Sequence, residues 1–518
     1  MRKRWSLIVI VGLPGLLFLS HCGGRSPAEV AKSLPPASRF KLIPPGEPAE
    51  RIIKTAARIV PSANQLAWQE MEFIAFAHFG MNTFTDREWG EGTEDPSLFN
   101  PTAFDARQWV RVFNDAGMKM VIITAKHHDG FCLWPSRYTD HSIKKSPWRG
   151  GKGDVVRDLA EACREGGLKL GIYVSPWDRH ELTYGDSPAY NEHFRNQLRE
   201  LLTDYGEVSE VWFDGACGEG PNGKRQEYDW PSYYRVVRVR QPQAVIFGMG
   251  PDIRWVGTET GYGRETEWSV VPVEVREGTA SLNASLDEIF IPRDMTAEDL
   301  GSREKITGAR ALAWYPAETD VSIRPGWFYH ADEDSKVKTP EKLVDIYFSS
   351  VGRNGVLLLN VPPDKRGLIP DADIQSLTEM KRRLDMTFRK NLGAQTHIKA
   401  SSEKRGHRAS SLRDEDKDTY WTTPENIDTA VLEFFLPEKE TFDVAMLQEN
   451  IRLGQRIEEF SLEYWNGSRW VPFAEGTTIG YKRLLRFPSV TTDKVRLNIR
   501  KSRASPTLSS FGLYKLAS

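Results

Sequence analysis

Short apolar runs alternate with amphipathic segments along most of this chain from residue 73 onward. The runs predict buried parallel strands, and the intervening segments repeat apolar residues at helical spacing. The predicted strands are 73–77, 120–126, 168–174, 210–213, 244–247, 254–258, 309–314 and 355–360. Eight strands alternating with helices predict an α/β fold, a (β/α)8-like or TIM-type barrel over residues 51–393. Too few residues separate Phe247 from Trp255 for a full helix, so the barrel should be irregular there.

The pattern changes after residue 391. A helical stretch over 371–390 stops before Gly393, and shorter runs at 430–436, 459–464 and 494–499 then alternate apolar and polar residues. Turn residues such as Asn466-Gly467 separate them. This alternation predicts a C-terminal antiparallel β-sandwich, or jelly roll, over residues 394–518.

Three of the predicted barrel strands end in chemically active groups. The first runs into His78, the second into His127 and His128, and the fourth into Asp214 followed by a glycine. Strand ends form the active-site face of such a barrel, so these groups should share one pocket. The ordinary alternatives are an Asp that caps the next helix and histidines satisfied in the core. Imidazoles that donate and accept hydrogen bonds suit a pocket for sugar hydroxyls.

Composition narrows the class of protein. The chain has 518 residues, of which 40% are hydrophobic, and a formal net charge of −2, so no basic surplus favours nucleic-acid binding. Sixteen tryptophans could stack on sugar faces, although most should pack in cores. Apart from Cys22, the cysteines are Cys132, Cys163 and Cys217, an odd set without disulfide or metal-ligand spacing.

The N-terminus has the features of an export signal. Basic residues at 2–4 precede an apolar run over 7–19, which is too short for a comfortable membrane span. Residues 1–22 are therefore predicted to be a signal segment and residues 23–50 a tether. The segment Leu19-Ser20-His21-Cys22 resembles a bacterial lipoprotein processing box, which implies lipidation at Cys22; simple cleavage is the alternative. The expected location is the periplasm or the outer membrane of a Gram-negative bacterium.

Six ordered blocks carry a resemblance to a known family. They are HFGMNTF at 78–84, HHDGF at 127–131, SPWDR at 175–179, VWFDG at 211–215, IRPGWFYH at 323–330 and SVGRN at 350–354. Over residues 55–390 the chain resembles family 29 of the glycoside hydrolases, the α-L-fucosidases. Residues 418–423 and the strand-rich remainder resemble a discoidin, or coagulation-factor type C, domain. Such domains bind sugars or brace the barrel, and the brace is the role we expect here.

The resemblance implies a retaining hydrolase of fucosylated oligosaccharides or glycoconjugates, with Asp214 as the nucleophile. It implies no cofactor and no metal. It also implies a set of substrate-binding residues, namely His78, Glu88, Trp89, His127, His128, Tyr173, Trp212, Arg324 and Trp327. Contact with a membrane is expected only through a lipid anchor, and the oligomeric state is left open.

The second carboxyl of the mechanism is expected at Glu259, which follows another predicted strand. Its position resembles the family branch that acts on α-1,3- and α-1,4-linked fucose. Glu265, Glu267 and Glu288 are alternatives, each with an ordinary interpretation as a solvated loop charge.

Two other functions must be weighed. A metal-dependent hydrolase could use His78, His127 and His128 as ligands, but adjacent histidines cannot easily both point into a barrel. A catalytically silent sugar-binding lipoprotein is the second alternative. The joint presence of Asp214 and Glu259 argues against it, because a binder gains little from a negative charge below the anomeric carbon.

Overall fold

The computed structural model describes residues 38–276, 285–293, 295–414 and 416–517. The predicted signal segment, Cys22 and most of the predicted tether lie outside these residues. Within them, no helix combines the length and the hydrophobicity that crossing a bilayer requires. Cys132, Cys163 and Cys217 are free thiols.

Eight parallel strands form the larger domain and confirm the predicted barrel-like fold. In chain order they are β1 Phe73–Ala77, β2 Met120–Lys126, β3 Lys169–Val174, β4 Glu210–Phe213, β5 Val245–Gly248, β6 Arg254–Trp255, β7 Ala317–Ser322 and β8 Val356–Asn360. Their order in the sheet is β5-β4-β3-β2-β1-β8-β7-β6. A single parallel bridge between Phe247 and Ile253 links the two edge strands, so the barrel is irregular where the sequence lacks a helix.

Helices alternate with the strands of the barrel or flank them in the chain. The longer ones are Ala106–Asp115, Val155–Gly166, Ser187–Asp204, Trp230–Arg240, Pro340–Ser350 and Asp371–Phe388. The shorter ones are Ala49–Ala56, Ala63–Gln69, Met81–Thr85, Leu286–Ile289 and Arg303–Thr307. Acidic side chains start several of them; Asp105, for example, accepts hydrogen bonds from the amides of Arg107 and Gln108. Such caps satisfy the amides that a helix leaves unpaired at its first turn.

One predicted barrel strand is wrong. The apolar run at 309–314 supplies the strand Ala311–Trp314, which pairs antiparallel with Phe40–Leu42 and Val270–Pro272 in a separate three-stranded sheet. The barrel strand at this point is β7, whose sequence AETDVS is buried along its whole length. A strand with carboxyl groups is not recognisable as buried unless its polar side chains are known to face a hydrogen-bonded interior.

The C-terminal domain is an antiparallel β structure, as predicted. Its main sheet contains β9 His397–Ala400, β10 Ala430–Gln448, β11 Ile457–Trp465, β12 Trp470–Gly476, β13 Arg483–Ser502 and β14 Ser510–Tyr514. The order is β9-β10-β13-β11-β12, with β14 pairing with β10. A second, two-stranded sheet joins Trp421–Thr422 to Thr507–Leu508.

Buried hydrogen bonds join this domain to the barrel. The side chain of Gln455 accepts from the amide of Ser269 at 2.7 Å and donates to the carbonyl of Glu267 at 2.9 Å. On the barrel side, Asn354 accepts from the amide of Tyr481 at 2.7 Å. Because each partner is buried, these contacts favour the predicted role of the C-terminal domain as a brace.

A pair of glutamates lies inside the barrel, below its open end. Glu210 accepts from the indole of Trp68 at 2.7 Å, and Glu318 accepts from the indole of Trp212 at 2.9 Å. Both carboxyls are buried, and the second oxygen of each has no hydrogen-bond partner among the described residues. Burial of two carboxyls inside one barrel disfavours their charged forms and favours retention of a proton. Burial, and for Glu318 also the neighbouring Glu210, raises the pKa of both carboxyls.

The first prediction concerns the interface between the domains. Replacing Gln455 by alanine leaves the amide of Ser269 and the carbonyl of Glu267 buried without this partner, so Gln455→Ala should lower the free energy of unfolding by about 2–4 kcal/mol. Chemical denaturation measures this loss, with the exposed Gln243→Ala as the control. A loss below about 0.5 kcal/mol would mean that these contacts do not brace the barrel.

The second prediction concerns the glutamate pair. A raised folded-state pKa makes these carboxyls stabilise the fold below their ordinary pKa, and this stabilisation is lost as the pH rises through the raised value. Glu318→Gln supplies a permanent donor, so its melting temperature should fall less than that of the wild type between pH 5 and pH 9. The two proteins should differ in their pH-dependent loss of unfolding free energy by about 1.4 kcal/mol for each unit by which the pKa of Glu318 is raised in the folded state. Parallel curves for both proteins, or a similar effect of the exposed Glu161→Gln, would contradict the retained proton.

Candidate active site

The ends of the barrel strands converge on a small cavity of about 150 Å³. It is lined by Phe76, His78, Glu88, Trp89, His127, His128, Tyr173, Trp212, Asp214, Ala216, Glu259, Asp320 and Trp327. The structure thus brings together every catalytic and substrate-binding residue predicted from sequence except Arg324. The cavity lies where a (β/α)8 fold places its ligands.

Asp214 follows β4 and is held at both oxygens. The hydroxyl of Tyr173 donates to Oδ2 at 2.9 Å, and the amide of Ala216 donates to Oδ1 at 2.7 Å. The side chain is about one-quarter exposed, so it opens to the cavity. Donors at both oxygens hold the carboxylate in a single orientation, which is what a nucleophile at a fixed carbon centre requires.

Burial keeps the three imidazoles of the cavity neutral. It lowers the pKa of His78 to about 3, and it also lowers the pKa of His127 and of His128. A neutral imidazole has one donor and one acceptor nitrogen, and the hydrogen bond made by one nitrogen decides the role of the other.

Their neighbours define which nitrogen carries the proton. The amide nitrogen of Asn360 donates elsewhere, so its oxygen accepts from Nδ1 of His78 at 2.8 Å. The hydroxyl of Ser175 donates to a backbone carbonyl and therefore accepts from Nδ1 of His128 at 2.7 Å. Asn82 instead donates to Nδ1 of His127 at 3.4 Å. The Nε2 atoms therefore act as acceptors on His78 and His128 and as a donor on His127.

Glu88 organises the loop that carries Trp327. Its carboxylate accepts from the amides of Trp327 and Phe328 at 2.8 and 3.1 Å and pairs with His330 at 2.8 Å. Trp89, next to it, is largely exposed and meets His128 edge to face. Glu88 thus fixes one aromatic wall of the cavity.

Glu259 lies on an exposed loop after β6, with Oε2 accepting from the indole of Trp327 at 3.3 Å. The three alternative glutamates do not line the cavity, because each is engaged elsewhere. Glu265 pairs with Arg353 and Arg483, Glu267 with Arg254 and Arg264, and Glu288 closes the capping box of Ser285. Glu259 is therefore the one of the predicted acid/base candidates that lines the same cavity as Asp214.

The structure contradicts the predicted contact of Arg324 with the sugar. Its guanidinium is buried against the helix Asp371–Phe388, where it bonds both oxygens of Asp373 at 3.0 and 2.5 Å and also pairs with Asp334. Pro325 and Gly326 turn the chain between Arg324 and Trp327, so the two side chains point to different places. Arg324 is a structural ion-pair partner.

Asp320 lines the cavity but was not predicted from sequence. It lies on β7, and its Oδ1 accepts from the indole of Trp255 at 2.6 Å. Burial raises the pKa of this carboxyl to about 8, helped by the nearby Glu259 and Asp214. The only sequence signal was the Glu318-Thr319-Asp320 segment of an unrecognised strand.

A larger cavity of about 490 Å³ adjoins the first and shares Trp212, Asp214, Ala216, Glu259 and Asp320 with it. Apolar side chains form much of its remaining wall, namely Phe247, Met249, Trp255, Pro292 and Met295. Its size suits a group attached beyond the carboxylates. Among the described residues, no cluster of three or more histidine, cysteine, aspartate and glutamate side chains could hold a metal ion.

Comparison with known proteins identifies both domains. The profile of the Alpha-L-fucosidase family matches residues 54–387, and that of the F5/8 type C domain matches residues 397–511. Alpha-L-fucosidase 1 of Arabidopsis thaliana is 44% identical over 464 residues, which cover 88% of this chain and 87% of the plant protein.

Solved structures show the same similarity. A protein from Bacteroides ovatus ATCC 8483 superposes with a TM-score of 0.81 at 48% identity, covering 93% of this chain and 78% of that one. A Ruminococcus gnavus GH29 fucosidase in complex with fucose gives 0.77 at 33% identity, covering 89% and 95%. The chain therefore belongs to the α-L-fucosidase family, glycoside hydrolase family 29, and ends in an F5/8 type C domain.

Proposed function

We propose that the protein is an exported, retaining α-L-fucosidase that removes terminal α-1,3- or α-1,4-linked fucose from oligosaccharides or glycoconjugates. The observation that carries this proposal is that Asp214 and Glu259 line one small cavity with three neutral imidazoles. A retaining glycosidase needs two carboxyls, one on each side of the scissile bond.

The smaller cavity has room for one sugar ring. The Nε2 atoms of His78 and His128 accept hydrogen bonds from ring hydroxyls, and Nε2 of His127 donates one. The aromatic side chains of Phe76, Trp212 and Trp327 offer apolar contact for the methyl group of a 6-deoxy sugar. This combination of hydroxyl-binding rings and apolar wall suits fucose better than a fully hydroxylated hexose.

In the first step, Asp214 attacks the anomeric carbon and forms a glycosyl ester, while Glu259 gives its proton to the departing oxygen. The donors on Asp214 hold the attacking oxygen in line. In the second step, Glu259 removes a proton from water, the water oxygen attacks the anomeric carbon, and the bond to Asp214 breaks. Two inversions give net retention.

The linkage preference rests on two features. The sequence position of Glu259 resembles that of the acid/base in the α-1,3/1,4-specific branch, and the cavity of about 490 Å³ beyond the carboxylates leaves room for a branched leaving group. Export rests on the N-terminal sequence, with its basic residues, apolar run and Cys22. A silent binder is disfavoured because both carboxyls line the site.

The third prediction tests the nucleophile. Asp214→Asn cannot form the glycosyl ester, so turnover should fall at least about a thousand-fold while the melting temperature stays near that of the wild type. Glu219→Gln, an exposed carboxylate on the same loop, is the matched control. Proton NMR of the wild-type reaction should show α-fucose first. Substantial turnover by Asp214→Asn, or β-fucose as the first product, would refute the mechanism.

The fourth prediction tests the acid/base. Glu259→Ala should lose at least about a hundred-fold on natural glycosides, whose leaving groups need protonation, and far less on aryl fucosides with good leaving groups. Azide should partly restore turnover, because it attacks the glycosyl ester without base assistance. Glu265→Gln is the control from the same loop. If Glu265, Glu267 or Glu288 variants show this pattern instead, both the assignment of Glu259 and the α-1,3/1,4 preference are wrong.

A further inference from the structure

Strand β7 turns a row of polar side chains toward the barrel interior. Successive inward positions are Glu318, Asp320 and Ser322. Each is bonded to a group of the active site: Glu318 to the indole of Trp212, Asp320 to the indole of Trp255, and Ser322 to Asn360, which in turn bonds His78. Asp320 is the member of this row that itself lines both cavities.

Asp320 also contacts both ends of the segment that carries Glu259. Before Glu259, the indole of Trp255 donates to Oδ1 of Asp320 at 2.6 Å. After it, the amide of Gly261 donates to the backbone carbonyl of Asp320 at 3.2 Å. One residue of β7 thus anchors the chain four residues before and two residues after Glu259.

The segment between these anchors needs them because it is otherwise exposed. Residues 258–260 are exposed, and Gly257 and Gly261 both have positive φ, at +102° and +77°. A Cβ at Gly261 would lie 2.8 Å from the side chain of Val321, so the chain passes close to β7 at this point. Within the segment, the Glu259 side chain itself has the weak 3.3 Å contact with Trp327.

The chemical state of Asp320 suits this role. Asp320 is 4% exposed, and the described residues give its carboxyl one side-chain donor, the indole of Trp255. Three other carboxyls lie nearby: Asp214 and Glu259 line the same two cavities, and Glu318 lies on the same strand. These neighbours and the burial favour the protonated form, which adds no charge beside the two reacting carboxyls.

We propose that Asp320 is a positioning residue for Glu259: its carboxyl holds the indole of Trp255 and, together with the backbone bond from Gly261, sets the loop so that the Glu259 carboxyl faces the oxygen of the departing group. This inference rests on the proposed role of Glu259 as the acid/base. A substitution that misplaces the acid slows only the step in which the leaving group takes a proton. The loss of activity should therefore be large for poor leaving groups and small for good ones.

The fifth prediction measures kcat and KM of Asp320→Ala on a natural α-1,3/1,4 fucoside and on an aryl fucoside with a good leaving group. We expect kcat to fall about 30-fold on the natural substrate and less than about threefold on the aryl fucoside, with little change in KM. Asp320→Asn keeps an acceptor for the indole without a charge and should recover most of the loss. Trp255→Phe removes the donor and should reproduce the selective loss.

Thr319→Val is the matched control, because Thr319 is the neighbouring buried residue of β7 and bonds the carbonyl of Val356. Equal losses on both substrates for Asp320→Ala, or no loss, would overturn the proposal, as would an Asp320→Asn variant no better than Asp320→Ala. If Asp320→Ala does not fold, Trp255→Phe decides by the same criterion.

Glu259→Ala in the same assay distinguishes a failure of the positioning role from a failure of the acid/base assignment. If Glu259→Ala depends on the leaving group and neither Asp320→Ala nor Trp255→Phe does, the positioning role alone is wrong. If Glu259→Ala shows no such dependence, the acid/base assignment fails, and the positioning role fails with it.

Discussion

Polar side chains inside the barrel need hydrogen-bond partners, and this requirement connects the core to the active site. An unpaired buried polar group costs about 1–3 kcal/mol. On β7, one carboxyl oxygen of Glu318 accepts from the indole of Trp212, and Oδ1 of Asp320 accepts from the indole of Trp255. Because these two indoles also form walls of the cavities, the packing of the barrel and the shape of the site are set by the same bonds.

The low polarity of the interior also sets the charge of the site. Desolvation disfavours charged imidazoles, so His78, His127 and His128 stay neutral and differ in which nitrogen carries the proton. Asp214 lies in a different environment, because it is partly exposed and its carboxyl accepts two hydrogen bonds. Neutral imidazoles beside the carboxyl groups of the cavity suit a transition state that develops positive charge at the sugar ring.

The C-terminal domain contributes to the same arrangement from outside the barrel. After Glu259 the chain continues to residues 265–269. There its backbone forms hydrogen bonds with the side chains of Gln455, Thr478 and Arg483 of that domain. The barrel alone would leave these groups exposed or unpaired. This dense polar interface gives a physical reason for the two domains to occur in one chain, independent of any sugar binding by the second.

The sequence alone determined the features that depend on local pattern. Apolar runs marked most barrel strands, and the groups that directly follow them, such as Asp214 and His78, lie in the cavity because parallel strands end at one face. Only the tertiary structure decided which run near residue 315 joins the barrel, since β7 is polar where it faces the site. It also decided that Arg324 points away from Trp327 and that Asp320 points in. Those outcomes depend on partners distant in the chain, Asp373 and Trp255, and pairing between distant residues leaves no periodic signal in a single sequence.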